Sequence, residues 1–357
     1  MRRTFHALAL TFVLVCACTG RQVESFHPIQ YVTDIINRTQ DNLEECEILD
    51  SCGCERPNVS GKIVIVDNLE RCSLLTEAFL RSDSFDNVDA APKSDMIPDF
   101  LGETFQTLVE DRVYPDASEA SRTASVEDAL TSLNIDAKLI VLSSQYLNAG
   151  RRDVDTLFTR FGIPVPVIST VDAMVSELLD SNSHKQPVSW DAIAVMASPA
   201  IAASGVYQEA VSRLISHGQC FMAYPDSTGS ARSFLDNCLA QGMTSIAAIL
   251  VDDYSVSVDS LRAECDAIIG SDTAEDLPYK SLLAGGITYV DPRSAVVSAC
   301  YKAMRDKNIF THNIDLPAPC EVTYTLTDVY NFTPLVMDVS PKTTQDYVQD
   351  QHVSGGD

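Results

Sequence analysis

Seven short runs of apolar, often β-branched residues recur along the chain, and they restrict its fold more than any other feature. The clearest run, Lys-Ile-Val-Ile-Val-Asp at 62–67, is continuous rather than alternating, which is typical of a strand buried on both faces of a parallel sheet. The other runs lie at 137–143, 164–168, 192–197, 220–224, 246–251 and 286–291. Segments with helical spacing separate many of them, at 73–81, 171–179, 207–216, 230–241 and 293–305. The alternation predicts an α/β fold whose parallel strands are joined by right-handed crossovers.

The charge of the chain excludes one class of partner. Its 357 residues include 25 Lys and Arg against 50 Asp and Glu, which gives a net charge of −25. Nucleic-acid binding requires a basic surface, so we expect no nucleic-acid partner. The segment 83–128 is unusually acidic and contains several prolines, so we expect it to form a solvated helix-and-loop insertion rather than part of the core.

The N-terminus predicts export. A basic pair at 2–3 precedes the apolar stretch 7–17, which is too short to span a bilayer but has the length of a signal-peptide core. The stretch leads into Leu-Val-Cys-Ala-Cys at 14–18, which resembles a bacterial lipobox with Cys18 as the lipidated residue. The alternative is a plain secretory signal cleaved near Ala17. We therefore expect a cell-envelope lipoprotein, periplasmic or on the outer surface, whose lipid is its sole membrane contact, or else a secreted protein.

Three cysteines cluster in the stretch 18–60, which is polar and turn-rich and is predicted to be a tether or leader. Cys46, Cys52 and Cys54 could form a disulfide among themselves or with another thiol in an oxidising compartment. Zinc is the alternative, but the Cys-x5-Cys-x-Cys spacing lacks the usual Cys-x2-Cys pair and no His is close. Glycine-rich phosphate loops are absent after the predicted strands. We expect no metal and no cofactor.

Polar residues at the ends of the predicted strands are the candidate ligand contacts, because ligands of parallel α/β sheets bind beyond the carboxyl ends of the strands. Carboxylate, amide and hydroxyl groups there are suited to holding amino or carboxylate groups. Taken singly, an Asp or Ser in such a place also commonly caps the next helix. The candidates are Asp67, Asn68, Ser144, Gln145, Ser198, Asp252 and Asp253.

Five degenerate motifs follow one another between residues 62 and 306. They are Val-Asp-Asn-Leu at 66–69, Asp-Ala-Ala-Pro-Lys-Ser at 89–94, Ala-Ser-Pro-Ala-Ile-Ala-Ala-Ser-Gly-Val-Tyr at 197–207, Cys-Phe-Met-Ala-Tyr-Pro at 220–225 and Tyr-Val-Asp at 289–291. Their order and spacing resemble the aspartate/glutamate racemase family, in which the first motif reads Asp-Ser-Gly and the third Ala-Thr-x-x-Thr-Val-x-Ser-x-x-Tyr.

The resemblance implies two pseudo-symmetric, doubly wound α/β lobes with mainly parallel sheets and a cleft between them. The first lobe would comprise 61–167 plus 285–340, and the second would comprise 168–284. The signal peptide at 1–17 and the tether at 18–60 would precede them, and a polar tail at 341–357 would follow. Within the last part, the stretch 331–337 is expected to add an edge strand or a helix to the first lobe.

The two cysteines with which that family moves a proton have no counterpart in this chain. The family's Cys-Asn-Thr is replaced by Ser-Gln-Tyr at 144–146, and its Gly-Cys-Thr-His-Tyr-Pro by Leu-Val-Asp-Asp-Tyr-Ser at 250–255. A shift of one residue in this alignment would offer Asp252 as a base, but Ser144 opposite it would be a poor acid. Cys72 is the thiol that can be placed near the cleft, in the first turn of the helix after the first strand.

The resemblance thus implies a racemase-like protein without two-cysteine activity that binds a small amino acid or carboxylate between its lobes. Because carboxylates outnumber basic residues among the candidates, an acidic ligand such as glutamate is disfavoured. One alternative is an active amino-acid racemase or isomerase with a non-standard acid/base pair, for example Asp252 and Cys72. The other is a structural surface lipoprotein with no ligand. The oligomeric state is left open.

Overall fold

The computed structural model describes residues 26–41, 57–83, 99–110, 112, 118–180, 192–215, 220–223, 230–311, 322–327 and 334–338. The predicted signal peptide, Cys18, the cysteine cluster at 46–54 and the tail at 341–357 lie outside the described residues.

Strands and helices alternate over most of the described chain. The strands are β1 (Lys62–Asp67), β2 (Phe105–Val109), β3 (Ala137–Leu142), β4 (Val167–Ser169), β5 (Ile193–Met196), β6 (Cys220–Ala223), β7 (Ala248–Val251), β8 (Thr288–Val290), β9 (Val322–Thr327) and β10 (Pro334–Asp338). The helices are α1 (Gln30–Asp41), α2 (Leu69–Arg81), α3 (Glu119–Asn134), α4 (Arg151–Phe161), α5 (Thr170–Asp180), α6 (Pro199–Ser204), α7 (Val206–Leu214), α8 (Ala231–Ala240), α9 (Val258–Gly270), α10 (Leu277–Leu283) and α11 (Pro292–Lys307). Each of the seven predicted strands overlaps an observed one.

The strands form two sheets. The first has the order β10-β9-β2-β1-β3-β4 and is parallel except for β10, which runs antiparallel to β9. The second has the order β6-β5-β7-β8 and is parallel throughout. The prediction of two α/β lobes with mainly parallel sheets is confirmed. An edge strand or a helix was expected near 331–337, and the edge strand β10 occupies that place in the first sheet.

The lobe boundary in the structure differs from the one drawn from the sequence. Residues 285–340 were assigned to the first lobe, whereas β8 pairs in parallel with β7 in the second sheet. Only β9 and β10 of that range belong to the first sheet. The chain therefore returns to the first lobe through α11, which packs against both α2 and α5.

The acidic segment 83–128 is not the solvated insertion that its charge predicts, because it contains β2. All five β2 residues are buried, and the strand lies between β1 and β9. Its apolar residues Phe105 and Leu108 join two different core clusters, one on each face of the sheet. Because the acidic residues flank this strand, the net charge of the whole segment does not reveal it.

Part of the predicted tether also folds onto the first lobe. Helix α1 buries Val32 in the core cluster formed with α3 and α4, and Ile29 just before it is buried in the same cluster. The Ile29 N–H donates to Oδ1 of the fully buried Asp153, which also pairs with Arg122. None of the described helices has the length and hydrophobicity needed to cross a membrane.

Candidate inter-lobe site

The ends of strands from both sheets meet at one place between the lobes. Asp67 is the last residue of β1, and Gln145 follows β3 in the first sheet, whereas Asp252 follows β7 in the second. All three are at least 96% buried. The side-chain Nε2 of Gln145 donates to the main-chain oxygen of Asp252 at 3.2 Å, which joins the two lobes directly.

A basic side chain that was not among the predicted strand-end residues lies at the centre of this site. Arg71, in the first turn of α2, donates to Oε1 of Gln145. Its guanidinium also lies over the Tyr254 ring, 5.7 Å from the ring centroid. Burial alone would lower the pKa of Arg71, but the carboxylates of Asp67 and Asp252 raise it. Arg71 thus lies within the electrostatic influence of both carboxylates.

The backbone around Arg71 explains its position. Asn68 caps α2, because its side chain accepts a hydrogen bond from the Arg71 N–H at 3.0 Å. This cap fixes the first turn of α2 directly above the end of β1. A basic residue in that turn opposes the helix dipole, which favours acidic residues there. That conflict was the sequence signal that could have identified Arg71.

Asp67 has one satisfied and one unsatisfied carboxylate oxygen. Its Oδ1 accepts from the Asn68 N–H at 2.7 Å, whereas Oδ2 is buried without a hydrogen-bond partner among the described residues. The nearby Ser143 hydroxyl donates to the Tyr254 hydroxyl at 3.0 Å, although it lies close enough to Asp67 to oppose the rise in the pKa of that carboxyl group. Burial raises the pKa of Asp67 to about 6, although Arg71 opposes the shift.

Asp252 is held by the second lobe. The Tyr207 hydroxyl donates to Oδ1 of Asp252 at 2.5 Å. Burial raises the pKa of Asp252 to about 7, and the Tyr207 hydrogen bond and Arg71 reduce that shift. The site therefore contains two buried carboxyl groups whose pKa values lie close to neutrality.

Tyr254 connects the lobes a second time. Its hydroxyl accepts from Ser143 and lies 2.9 Å from Oγ1 of Thr170, at the start of α5. All three side chains are at least 99% buried. Because Tyr254 follows β7 and Ser143 follows β3, these hydrogen bonds hold the ends of the two sheets together.

Three other predicted site residues have local structural roles or lie at the rim. Ser198 is exposed and its side chain caps α6 by accepting from the Ile201 N–H. Asp253 is also exposed, and its Oδ1 accepts two hydrogen bonds from Ser255. Ser144 is buried beside Gln145, and its main-chain oxygen accepts from Nδ2 of Asn148 at 2.7 Å.

Cys72 lies in the core of the first lobe. It is fully buried, and its Sγ donates to the main-chain oxygens of Asp67 and Ile65 at 3.5 and 3.6 Å. It packs in the same cluster as Leu75 and Phe79. The thiol therefore lies beneath the strand-end carboxylates, facing the core rather than the space between the lobes. The described cysteines are all free thiols.

The space between the ends of β3 and β7 is occupied by the protein's own side chains. Gln145 spans it, with one end on Arg71 and the other on Asp252. Two cavities lie elsewhere. One, of about 360 Å³, lies between α2 and the start of α11, and the other, of about 250 Å³, lies between the starts of α9 and α11. In the described part of the chain, no group of three or more His, Cys, Asp or Glu side chains is arranged to hold a metal ion.

Fold and site together define a two-lobed α/β protein with the Asp/Glu racemase fold and a strand-end site at the lobe junction. Glutamate racemase isoform RacE1 from Bacillus anthracis is similar over 75% of this chain and 89% of that chain, with a TM-score of 0.50 and 12% identity. The similarity to the Francisella tularensis glutamate racemase, solved with D-glutamate, covers 76% of this chain and 89% of that chain, with a TM-score of 0.46 and 12% identity. The similarity to the Aquifex pyrophilus glutamate racemase covers 75% of this chain and 90% of that chain, with a TM-score of 0.43 and 16% identity.

These structural likenesses are not accompanied by a match at the level of sequence. No protein-family model matches the chain, and no curated protein matches it. At 12% identity, the likeness to the Bacillus anthracis enzyme shows a shared fold and carries no activity with it.

Proposed function

We propose that this is an exported, lipid-anchored protein of the racemase fold that binds a small amino acid between its lobes and does not racemise it through two cysteines. One observation carries the proposal, namely that the Arg71 guanidinium donates to Gln145 at the lobe junction, within the electrostatic influence of the buried carboxyl groups of Asp67 and Asp252. A guanidinium is matched to the α-carboxylate of an amino acid, and carboxylates are matched to its ammonium group.

The Gln145 side chain supports this assignment, because it makes the two kinds of contact that an amino acid would make. Its carbonyl oxygen accepts from Arg71, and its amide nitrogen donates to the main chain of Asp252. A bound amino acid would replace both contacts with stronger, charge-assisted ones. Binding thus requires that the Gln145 side chain move and that the lobes separate.

Arg71 changes the argument about acidic ligands. The strand-end candidates contain no basic residue, which led to the expectation that an acidic ligand such as glutamate would be disfavoured. Arg71 supplies the cation for one carboxylate, so an α-amino acid is compatible with the site. A second carboxylate on the ligand would still lie among Asp67, Asp252 and the exposed Asp253.

A second candidate function is an active racemase or isomerase with a non-standard acid/base pair. The observation in its favour is that the pKa values of Asp67 and Asp252 are raised to about 6 and about 7, which suits proton transfer near neutrality. The other alternative is a structural protein with a permanently closed cleft. The buried hydrogen bonds of Tyr254 to Ser143 and Thr170 favour that alternative.

Calorimetric titration with a panel of L- and D-amino acids, combined with circular-dichroism assays of racemisation, separates the three functions. We expect binding without turnover. We also expect Arg71→Met to weaken binding by at least about tenfold, because a charge-assisted pair is lost. Arg81→Met, on the same helix but exposed, is the matched control and should bind as the wild type does. Turnover would support the racemase, and the absence of any binding would support the structural protein.

The anchor requires a separate test. Expression in a bacterium with radioactive palmitate should label the wild-type chain and should not label Cys18→Ser. Labelling of neither chain, with the protein recovered in soluble form outside the cytoplasm, would identify a plain secretory signal instead.

A further inference from the structure

The inter-lobe site contains a buried acceptor that lacks a donor. Oδ2 of Asp67 has no hydrogen-bond partner among the described residues, and the side chain is 3% exposed. The Ser143 hydroxyl lies close enough to Asp67 to oppose the rise in the pKa of that carboxyl group, but in the structure it donates to the Tyr254 hydroxyl at 3.0 Å. Because a buried carboxylate oxygen without a donor is costly, the atom is a place where a ligand donor would be stabilised.

The first-lobe side of the site carries more negative than positive charge. The Glu110 N–H donates to the main-chain oxygen of Asp67 at 2.9 Å, and the negative charge of the Glu110 carboxylate adds to the rise in the pKa of Asp67. Arg112 is shared among the carboxylates of Glu110, Glu127 and Asp128. The charge of Arg112 is thus already paired with that acidic group. Arg71 is the cation that acts on Asp67 and Asp252.

We propose that the inter-lobe site selects an α-amino acid that carries a second cationic group, such as a diamino acid. The proposal rests on the proposed function of amino-acid binding. The ligand α-carboxylate would bind Arg71, its α-ammonium would bind the carboxylate of Asp252, and the side-chain cation would donate to Oδ2 of Asp67. This arrangement gives a cation to each of the carboxylates of Asp67, Asp252 and the ligand.

Neutral and acidic amino acids fit the same site less well. A neutral side chain leaves Oδ2 of Asp67 without a donor, and an acidic one brings a carboxylate towards Asp67 and Glu110. In the free protein, burial raises the pKa values of Asp67 and Asp252 to about 6 and about 7. A cationic ligand lowers both pKa values, so its binding near pH 6 to 7 should release protons to the buffer.

Calorimetric titration with three ligands that share one carbon skeleton tests the selection. L-Lysine has a terminal ammonium group, L-norleucine ends in a methyl group, and L-2-aminoadipate ends in a carboxylate. We expect L-lysine to bind at least about tenfold more tightly than L-norleucine, and L-2-aminoadipate to bind most weakly. Repeating the lysine titration in buffers of different ionisation enthalpy should reveal proton release.

The outcomes separate this inference from the proposed function. Equal affinity for L-lysine and L-norleucine, or tighter binding of L-2-aminoadipate, overturns the cationic selection and leaves amino-acid binding intact. No binding by any of the three overturns both.

An amide variant locates the second cation. In Asp67→Asn, the ratio of the L-norleucine Kd to the L-lysine Kd should fall to about 1, because the asparagine has no charge to offer. Asp236→Asn, at an exposed carboxylate on α8, is the control and should keep the wild-type ratio. If Asp67→Asn keeps that ratio, the side-chain cation does not bind Asp67 and the proposal is wrong. The ligand comparison on the wild-type protein does not depend on the folding of this variant.

Discussion

The Tyr207 hydroxyl donates a 2.5 Å hydrogen bond to Oδ1 of Asp252, and the two side chains are 100% and 96% buried. The phenol also lies 3.3 Å from Sδ of Met174 on α5. Helix α7 thereby fixes the orientation of the carboxyl group that follows β7. The hydrogen bond stabilises the ionised form of Asp252, because a hydroxyl donor favours the charge that burial opposes.

Removal of that donor should destabilise the protein in a pH-dependent way. Tyr207→Phe leaves the Asp252 carboxylate less well solvated, so its pKa should rise further above its usual range. We expect a loss of about 1–3 kcal/mol in the free energy of unfolding at about pH 8, where wild-type Asp252 is mostly ionised. The loss should be smaller at about pH 5, where Asp252 is protonated in both proteins.

Urea denaturation at the two pH values measures this difference. Tyr279→Phe is the matched control, since its hydroxyl also donates to an aspartate, Asp236, but at an exposed position. A loss of equal size at both pH values would contradict the assigned role of the Tyr207 hydrogen bond.

The raised pKa of Asp252 predicts how stability changes with pH. Burial raises the pKa of Asp252 in the folded protein to about 7, from the ordinary aspartate value of 3.8. Between about pH 4 and pH 7 the folded state therefore holds more protons at this site than the unfolded state. It follows that Asp252 makes the free energy of unfolding fall as the pH rises through this window.

The Asp252→Asn variant should lack that contribution, because an amide does not titrate. Relative to the wild type, its free energy of unfolding should increase by about 2–4 kcal/mol between about pH 4 and pH 8. Denaturant titrations of both proteins across this range give the difference directly, and other titrating groups cancel. A difference that does not vary with pH would mean that Asp252 is not buried as the structure places it.

Much of the strand-end site could be predicted from the sequence, because one rule covers it. The run at 62–67 has no polar residue between its first and last positions, and the structure makes it a strand with these same ends. The rule that ligands bind beyond strand ends then selects Asp67, Gln145 and Asp252, and the structure brings these three together. Asp67 and Gln145 meet because the parallel strands β1 and β3 share one carboxyl edge of the first sheet. Asp252 joins them because the strand ends of the second sheet face that edge, where Gln145 donates to its main-chain oxygen.

The other parts of the site could not be predicted, because helices supply them. Arg71 lies a helical turn beyond its strand, and Tyr207 and Thr170 lie on α7 and α5. Which turn of a helix faces the cleft depends on how that helix packs on its sheet. Strand periodicity does not carry that information. The sequence also placed β8 in the first lobe instead of the second. A strand of only three residues does not specify the strand with which it pairs.

Tyr254 should contribute to the closed arrangement of the lobes. Tyr254→Phe keeps the ring under Arg71 but removes the hydroxyl that links Ser143 and Thr170. Because both partners are buried, we expect the free energy of unfolding to fall by about 1–3 kcal/mol. We also expect faster amide hydrogen exchange in the loops after β3 and β7, measured by mass spectrometry. Unchanged exchange in both loops would show that these hydrogen bonds do not hold the lobes together.

Cys72 provides the last test, since the non-standard racemase requires an accessible, ionisable thiol. In the structure this thiol is fully buried and donates to the main chain of Asp67. A thiol buried in the core reacts through opening of the surrounding structure. Iodoacetamide should therefore alkylate Cys72 in the native protein at least about 100-fold more slowly than in the protein unfolded by guanidinium. Peptide mapping by mass spectrometry follows each thiol separately. Rapid alkylation of Cys72 in the native state would contradict this and would restore it as a partner for Asp252.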